Sequence, residues 1–138
     1  MHPLVAQAID TVCLSRDEGG WKSLDEDVLS ALVEEFGEDG LADRLYSEIP
    51  RSVRYEVVCD LFDLLAWRTN DNGASVTRAI EDWLREGLDN RKLRIALHLE
   101  VYPFIDEHEM EAVLSGLADK NHWLAYRCRE LIKDRAGK

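Results

Sequence analysis

The sequence predicts an all-α protein of about eight helices, and two observations carry that prediction. Apolar residues recur along almost the whole chain at the 3.6-residue spacing of helices that bury one face. No segment shows the alternation of apolar and polar residues that marks a half-buried strand. We expect one all-helical domain over residues 1–138, built as an irregular bundle or as a short HEAT-like stack of helix pairs.

Three helices are predicted in the first third of the chain. The first covers residues 3 to about 15 and is followed by acidic residues and glycines that end it. The second covers 23–36, because Ser23 and Glu26 form an S-x-x-E capping box ahead of an apolar stripe. The third is short, covers 40–48, and ends before a proline.

Five further helices are predicted beyond residue 50. A long helix covers 50–69, with a proline in its first turn and a broad apolar face that includes Leu61. An Asn-Asp-Asn-Gly sequence at 70–73 is the clearest turn in the chain. The remaining helices are predicted at 75–87 with Ser75 as the cap, at 89–103 with Leu97 in the core, at 106–117 after an Asp106–Glu109 capping box, and at 124–132.

A weak internal repeat leaves the architecture open between two forms. Residues 53–62 align with residues 93–102 at an offset of 40, and residues 124–128 partly match both. Stacked helix pairs of roughly 40 residues are typical of HEAT and armadillo solenoids. The matched residues are mostly common apolar ones, so an irregular bundle of similar helices explains them equally well.

The composition is that of a globular protein, with 46% hydrophobic and 33% charged residues in 138. No apolar run approaches the ~20 residues of a membrane-spanning helix, and residues 1–10 lack the features of a secretory signal. Cys13, Cys59 and Cys128 include no C-x-x-C pair and lie in apolar helical patterns, where a free cysteine is a small buried hydrophobe. We expect a cytoplasmic protein with three free thiols.

Enzymatic chemistry finds little support in the sequence. The Gly-x-Ser-x-Gly motif, the phosphate-binding P-loop and the dinucleotide-binding Gly-x-Gly-x-x-Gly motif are all missing. His98 lies on an apolar helix, and His108 with Glu111 offers only two ligands where a metal site needs more. We therefore expect no enzymatic activity, no cofactor and no metal.

The net charge of −11 is unevenly distributed along the chain. Residues 1–50 contain 12 acidic and 3 basic residues, a net charge of −9, whereas residues 51–138 contain 16 and 14, a net charge of −2. An acidic surface repels nucleic-acid phosphates and anionic lipids and attracts basic surfaces. The charge therefore argues against direct nucleic-acid or membrane binding and favours a basic protein partner.

Several acidic residues occupy positions that helix stability does not favour. Carboxylates suit the first turn of a helix, where Asp25 and Asp27 fall, but not its C-terminal end, where four more acids follow. The helix predicted at 50–69 carries like charges at i, i+4 and i+7, which cost roughly 0.2–0.5 kcal/mol per pair. The leading candidates for partner binding are Asp25, Asp27, Glu34, Glu35, Glu38, Asp39 and Asp43, the secondary set is Glu56, Asp60 and Asp63, and the aromatic anchors are Trp21 and Trp67.

A small, acidic, all-helical chain without catalytic groups resembles the immunity proteins of bacterial toxin systems, including contact-dependent growth inhibition. The resemblance spans the chain and depends on its overall character, not on a motif. It implies a toxin inhibitor that neutralises a cognate basic toxin, often a nuclease, by covering its surface. The alternative is a HEAT-like scaffold or adaptor that binds a peptide or a subunit along a helix face.

Overall fold

Eight α-helices contain 71% of the residues that the computed structural model describes, which are residues 1–20 and 24–138. No strand occurs within these ranges, so the all-α prediction and the helix number are confirmed. The chain divides into two compact units, Met1–Ala79 (unit 1) and Ile80–Lys138 (unit 2). The helices are α1 (Pro3–Asp17), α2 (Glu26–Phe36), α3 (Leu41–Glu48), α4 (Tyr55–Ala66), α5 (Ala74–Glu86), α6 (Asn90–Leu97), α7 (Glu107–Lys120) and α8 (His122–Ala136).

Unit 1 is organised around α1, α2 and α4, which pack against one another, with α3 beside α2. Their inward faces supply side chains that are almost completely buried, among them Leu29, Leu32 and Leu61. His2 joins three of the helices: its Nδ1 accepts the Leu4 N–H (3.1 Å) and its own backbone N–H donates to Glu48 (3.1 Å). The ring edge of His2 also meets the Phe36 ring, with 5.1 Å between centroids.

Helix α2 begins later than the capping box predicts. Its N-cap is Asp25, whose carboxylate accepts the Val28 N–H (3.2 Å), and Glu26 is the first helical residue. Ser23 lies outside the described residues. The backbone N–H of Asp25 donates to the hydroxyl of Thr11 on α1 (2.7 Å), so a contact with another helix fixes where α2 begins.

Helix α4 is shorter at both ends than the predicted helix at 50–69, which was wrong in its bounds. Pro50 opens a turn instead, since its carbonyl accepts the Val53 N–H (3.1 Å). Arg54 is extended, with φ −62° and ψ 143°, and the helix follows it at Tyr55. Proline fixes only φ, and that value is shared by turns and helices, so the first-turn signal was ambiguous.

Helix α5 begins one residue before its predicted cap, so Ser75 lies inside the helix. Asp71 does the capping from the preceding turn, where its carboxylate accepts the Gly73 N–H (3.1 Å) and the Ser75 N–H (3.0 Å). Asn72 and Gly73 take positive φ angles of 55° and 80°. The predicted turn at 70–73 is therefore confirmed, and it also starts the helix that follows.

In unit 2, α7 and α8 pack side by side, α6 contacts α8, and Leu93, Ile95 and Leu114 are fully buried in the core. Helix α6 ends at Leu97, so its predicted extension to Pro103 was wrong. Arg127 of α8 donates from Nε to the Leu97 carbonyl (2.8 Å), which satisfies the helix end from outside.

The segment after α6 is a loop that Arg135 holds in place. Its guanidinium donates to the carbonyls of Pro103, Phe104 and Ile105 at 3.1, 2.8 and 2.7 Å. Phe104 is buried with a positive φ of 64°, and Val101, which falls inside the helix predicted at 89–103, is 63% exposed. Five of the ten residues in the second copy of the weak repeat, 98–102, thus lie outside α6. Within the described residues, no helix is long and apolar enough to cross a membrane.

Candidate protein-binding surface

Helix α2 carries Asp27 and Glu34 on its exposed side. Leu29, Leu32 and Val33 are buried against the core, and Asp27 and Glu34 lie on the opposite face of the helix. This separation follows from the 3.6-residue period, which places residues seven apart on the same face. The apolar stripe that forms the helix therefore also sets the direction in which these two carboxylates point.

Four of the predicted binding acids have partners inside unit 1. Glu35 lies 3.6 Å from Nε2 of His2, and Glu38 accepts the Asn70 N–H at 2.8 Å. Asp60 pairs with Arg16, an interaction that raises the pKa of Arg16 through the hydrogen bond between them. Asp25 caps α2. These contacts give each of the four a role in the fold.

The unfavourable charge at the C-terminal end of α2 is thereby partly offset. Besides the contacts of Glu35 and Glu38, Arg44 of α3 donates to the Phe36 carbonyl (2.6 Å) and places a cation at the end of the helix. The argument from the helix dipole therefore no longer singles out Glu35 and Glu38. It still applies to Glu34 and to Asp39, just beyond the helix.

Asp27, Glu34 and Asp39 are exposed, and their carboxylates have no ion pair or hydrogen bond within the described ranges. Asp43 is exposed as well, but it has an interaction of its own on α3. The leading set of seven acids therefore contains three whose charge is directed to solvent alone.

Trp67 follows α4 directly and is 82% exposed. The segment that follows α4 runs along α2, because Arg68 pairs with Glu26 (3.2 Å) at one end and Asn70 binds Glu38 (2.8 Å) at the other. Arg68 also donates to the Leu64 carbonyl (2.7 Å), which fixes the start of this segment. We name Asp27, Glu34, Asp39 and Trp67 the acidic face. Trp21, the second predicted anchor, lies outside the described residues.

The secondary set on α4 is more enclosed than the acidic face. Glu56, Asp60 and Asp63 are all half-buried, and Asp60 is neutralised by Arg16 of α1. Glu56 lies 3.9 Å from Arg54, and Asp63 also has an interaction. The ladder of like charges read from the sequence is thus interrupted by a cation from another helix.

The cysteines are free, and two of them are buried. Burial, assisted by the carboxylates of Asp63 and Asp60, raises the pKa of the Cys59 thiol to about 12. Burial likewise raises the pKa of Cys128 to about 11, against the opposing effect of Arg129. Since the thiolate is the reactive form, neither position favours a nucleophile.

The described part of the chain contains no cluster of side chains suited to a metal ion. Groups of three or more His, Cys, Asp or Glu side chains able to hold a metal do not occur there. His98 binds the Arg94 carbonyl through Nδ1 (2.6 Å), and His108 is exposed at the start of α7. A small cavity of about 320 Å³ lies beside the Arg16–Asp60 pair and the buried hydroxyl of Ser15.

Sequence analysis missed a second exposed surface, on α8. Tyr126 is 79% exposed although it lies between the apolar residues Ala125 and Cys128. The missed signal is a polar stripe at the helical period, since His122, Arg129 and Lys133 share a face with Tyr126.

Comparisons of the chain with models of known protein families, with curated proteins and with solved structures found no match.

Proposed function

We propose that this protein is an acidic binding module that neutralises a basic toxin, a nuclease in the simplest case, by covering its cationic surface. The supporting observation is the acidic face, where three unpaired carboxylates accompany an exposed tryptophan. Unit 1 as a whole has 16 acidic and 7 basic residues, a net charge of −9. Complementary charge speeds the encounter of two proteins, and a tryptophan is a frequent anchor of the complex they form.

Nuclease clefts are basic because they bind phosphates, so the acidic charge of this chain is opposite in sign and complementary to theirs. Carboxylates of a bound inhibitor would occupy the sites of those phosphates and exclude the substrate. The same charge repels nucleic acid from the inhibitor itself. A cytoplasmic place of action follows from this proposal, since the protected cell must be defended where its nucleic acid lies.

The test uses the C-terminal domain of the protein encoded directly upstream of this gene, because toxin and immunity genes are expected to be neighbours. The variant carries Asp27→Lys, Glu34→Lys and Asp39→Lys. We expect association at least about tenfold slower, with a weaker dependence on salt between about 0.1 and 1 M, because rim charges act on the association rate. The variant should also protect poorly when it is mixed with the toxin domain and its substrate.

The matched control reverses three exposed acids of unit 2, as Glu107→Lys, Glu111→Lys and Asp119→Lys. It changes the net charge by the same amount, so an equal loss in both variants would contradict a localised acidic face. No binding of the upstream domain by the native protein would contradict the proposed function. A binding rate that changes neither with salt nor with any of the six charge reversals would favour the HEAT-like scaffold or adaptor instead.

A further inference from the structure

Helix α8 carries a stripe of side chains whose charge is opposite to that of unit 1. His122, Tyr126, Arg129 and Lys133 follow one another at steps of four, three and four residues, which places them on one face. Together with Ala125, Glu130 and Asp134 they line a shallow groove of about 530 Å³. We name these four residues the α8 stripe.

The α8 stripe is not used within unit 2. The neighbouring bases of α8 are engaged, since Arg127 pairs with Glu130 and binds Leu97, and Arg135 holds the loop after α6. Arg129 and Lys133, in contrast, have no ion pair or hydrogen bond from their side chains in the described part of the chain. The helix dipole favours cations in this half of α8, but it does not account for a tyrosine that is 79% exposed among them.

The chain itself offers a surface of complementary charge. Asp27 and Glu34 lie seven residues apart on α2, which is about 10.5 Å at 1.5 Å per residue. The two cations of the α8 stripe, Arg129 and Lys133, lie four residues apart, which is about 6 Å. Two cations of one molecule can therefore meet the two carboxylates of another, and Trp67 and Tyr126 are exposed aromatic residues of the two surfaces.

We propose that the α8 stripe of one molecule binds the acidic face of a second copy. A contact of this kind is small and dominated by charge, so the association should be weak and sensitive to salt. It would use the same carboxylates as a basic partner, and the two interactions would exclude each other. The inference goes beyond the proposed function and does not depend on it, because a second copy needs no toxin.

The experiment is sedimentation velocity of the full chain over micromolar to millimolar concentrations, at about 0.1 M and about 1 M salt. Raising the salt shortens the screening length from about 10 Å to about 3 Å and should dissociate the complex. Arg129→Glu with Lys133→Glu should weaken self-association by about tenfold or more. The matched control is Arg51→Glu with Arg78→Glu, which makes the same charge change at two exposed arginines of unit 1 and should leave self-association nearly unaffected.

A charge exchange gives the sharpest outcome. Arg129→Glu with Lys133→Glu, mixed with a second variant carrying Asp27→Lys and Glu34→Lys, should form a mixed complex through the two unmodified surfaces, one on each variant. Tyr126→Ala tests the stripe without any change of charge and should also weaken association. A monomer at all concentrations in low salt, or self-association that survives the α8 substitutions, would overturn the proposal. Circular dichroism of each variant must show the native helix content.

Discussion

The two units of the molecule use their charged residues in different ways. In unit 2 the cations hold the fold together, and Arg127 and Arg135 satisfy backbone carbonyls that no helix covers. In unit 1, Arg44 and Arg68 bind backbone carbonyls in the same way, but acidic residues outnumber basic ones by 16 to 7, and several carboxylates have no partner among the residues that the structure describes. Further cations of unit 2 lie over aromatic rings: Arg85 over Phe104, Lys92 over Trp83, Arg94 over Trp123, and Lys138 over Tyr102.

This difference shows why net charge alone is a limited guide to function. Unit 2 has a net charge of −2 with 12 acids and 10 bases, but many of these groups serve its own loops and rings. The excess of nine acids in unit 1 includes groups that neither its fold nor its bases require. A search for a binding surface should therefore begin with the charges that remain after internal contacts are assigned.

The largest expected effect comes from truncating each core. Leu61→Ala in unit 1 and Leu97→Ala in unit 2 should each lower the free energy of unfolding by about 2–5 kcal/mol, because both side chains are buried. Thermal or urea unfolding measures this. If the chain is one domain, as predicted, both variants shift one common transition. Two transitions, with a different one shifted in each variant, would show that the units unfold independently.

The buried thiols should be strongly protected in both units. A pKa raised from 9.0 to about 12 leaves Cys59 about a thousandfold less thiolate near neutral pH, and Cys128 follows with a pKa of about 11. Labelling by a thiol reagent should be slow in the native protein and fast in urea. Because the folded pKa values are raised, their stability contribution is present below the unfolded pKa and is lost as pH rises from about 9 toward 12. Rapid native labelling would contradict this assignment.

Removing the hydrogen bonds of Arg135 to the loop after α6 should have an intermediate effect on stability. Arg135→Ala leaves three loop carbonyls without their donor and should cost about 1.5–3 kcal/mol, as expected for hydrogen bonds to a charged group. Chemical denaturation gives the value. Arg129→Ala, on the exposed side of the same helix, is the control and should change stability by less than about 0.5 kcal/mol. Equal effects would mean that Arg135 does not support the loop.

The smallest effect concerns the turn that begins α5. Asp71→Ala should cost about 0.5–2 kcal/mol, because two backbone N–H groups lose their acceptor. Desolvation acts to raise the pKa of Asp71, but hydrogen bonds from Thr69 and the backbone N–H groups of Ser75 and Gly73 lower it overall. Its contribution is therefore present above the unfolded pKa and is lost as pH falls through the folded value. A variant as stable as the native protein at pH 7 would contradict the capping role.

Much of the fold is predictable from local sequence. The helical period predicts all eight helices, and several predicted boundaries are close to those observed, such as the end of α2 at residue 36, the start of α6 after residue 89, and Asp106 before α7. Boundaries were wrong where a signal had two meanings or where another helix intervened, as at Pro50 and Asp25. The binding candidates were predictable as exposed acids on α2, since the apolar stripe fixes which positions face outward.

What the sequence determined by itself is the helical class, the apolar faces and the excess of acid in the first part of the chain, because each follows from composition or from neighbours within one helix. Only the tertiary structure decided which acids are free. Asp60 meets Arg16 across 44 positions and Glu38 meets Asn70 across 32, contacts that no local pattern encodes. The end of α6 likewise depends on Arg127, 30 residues away. Pairing between distant residues is a property of packing, so the acidic face emerges only once those pairs have been formed.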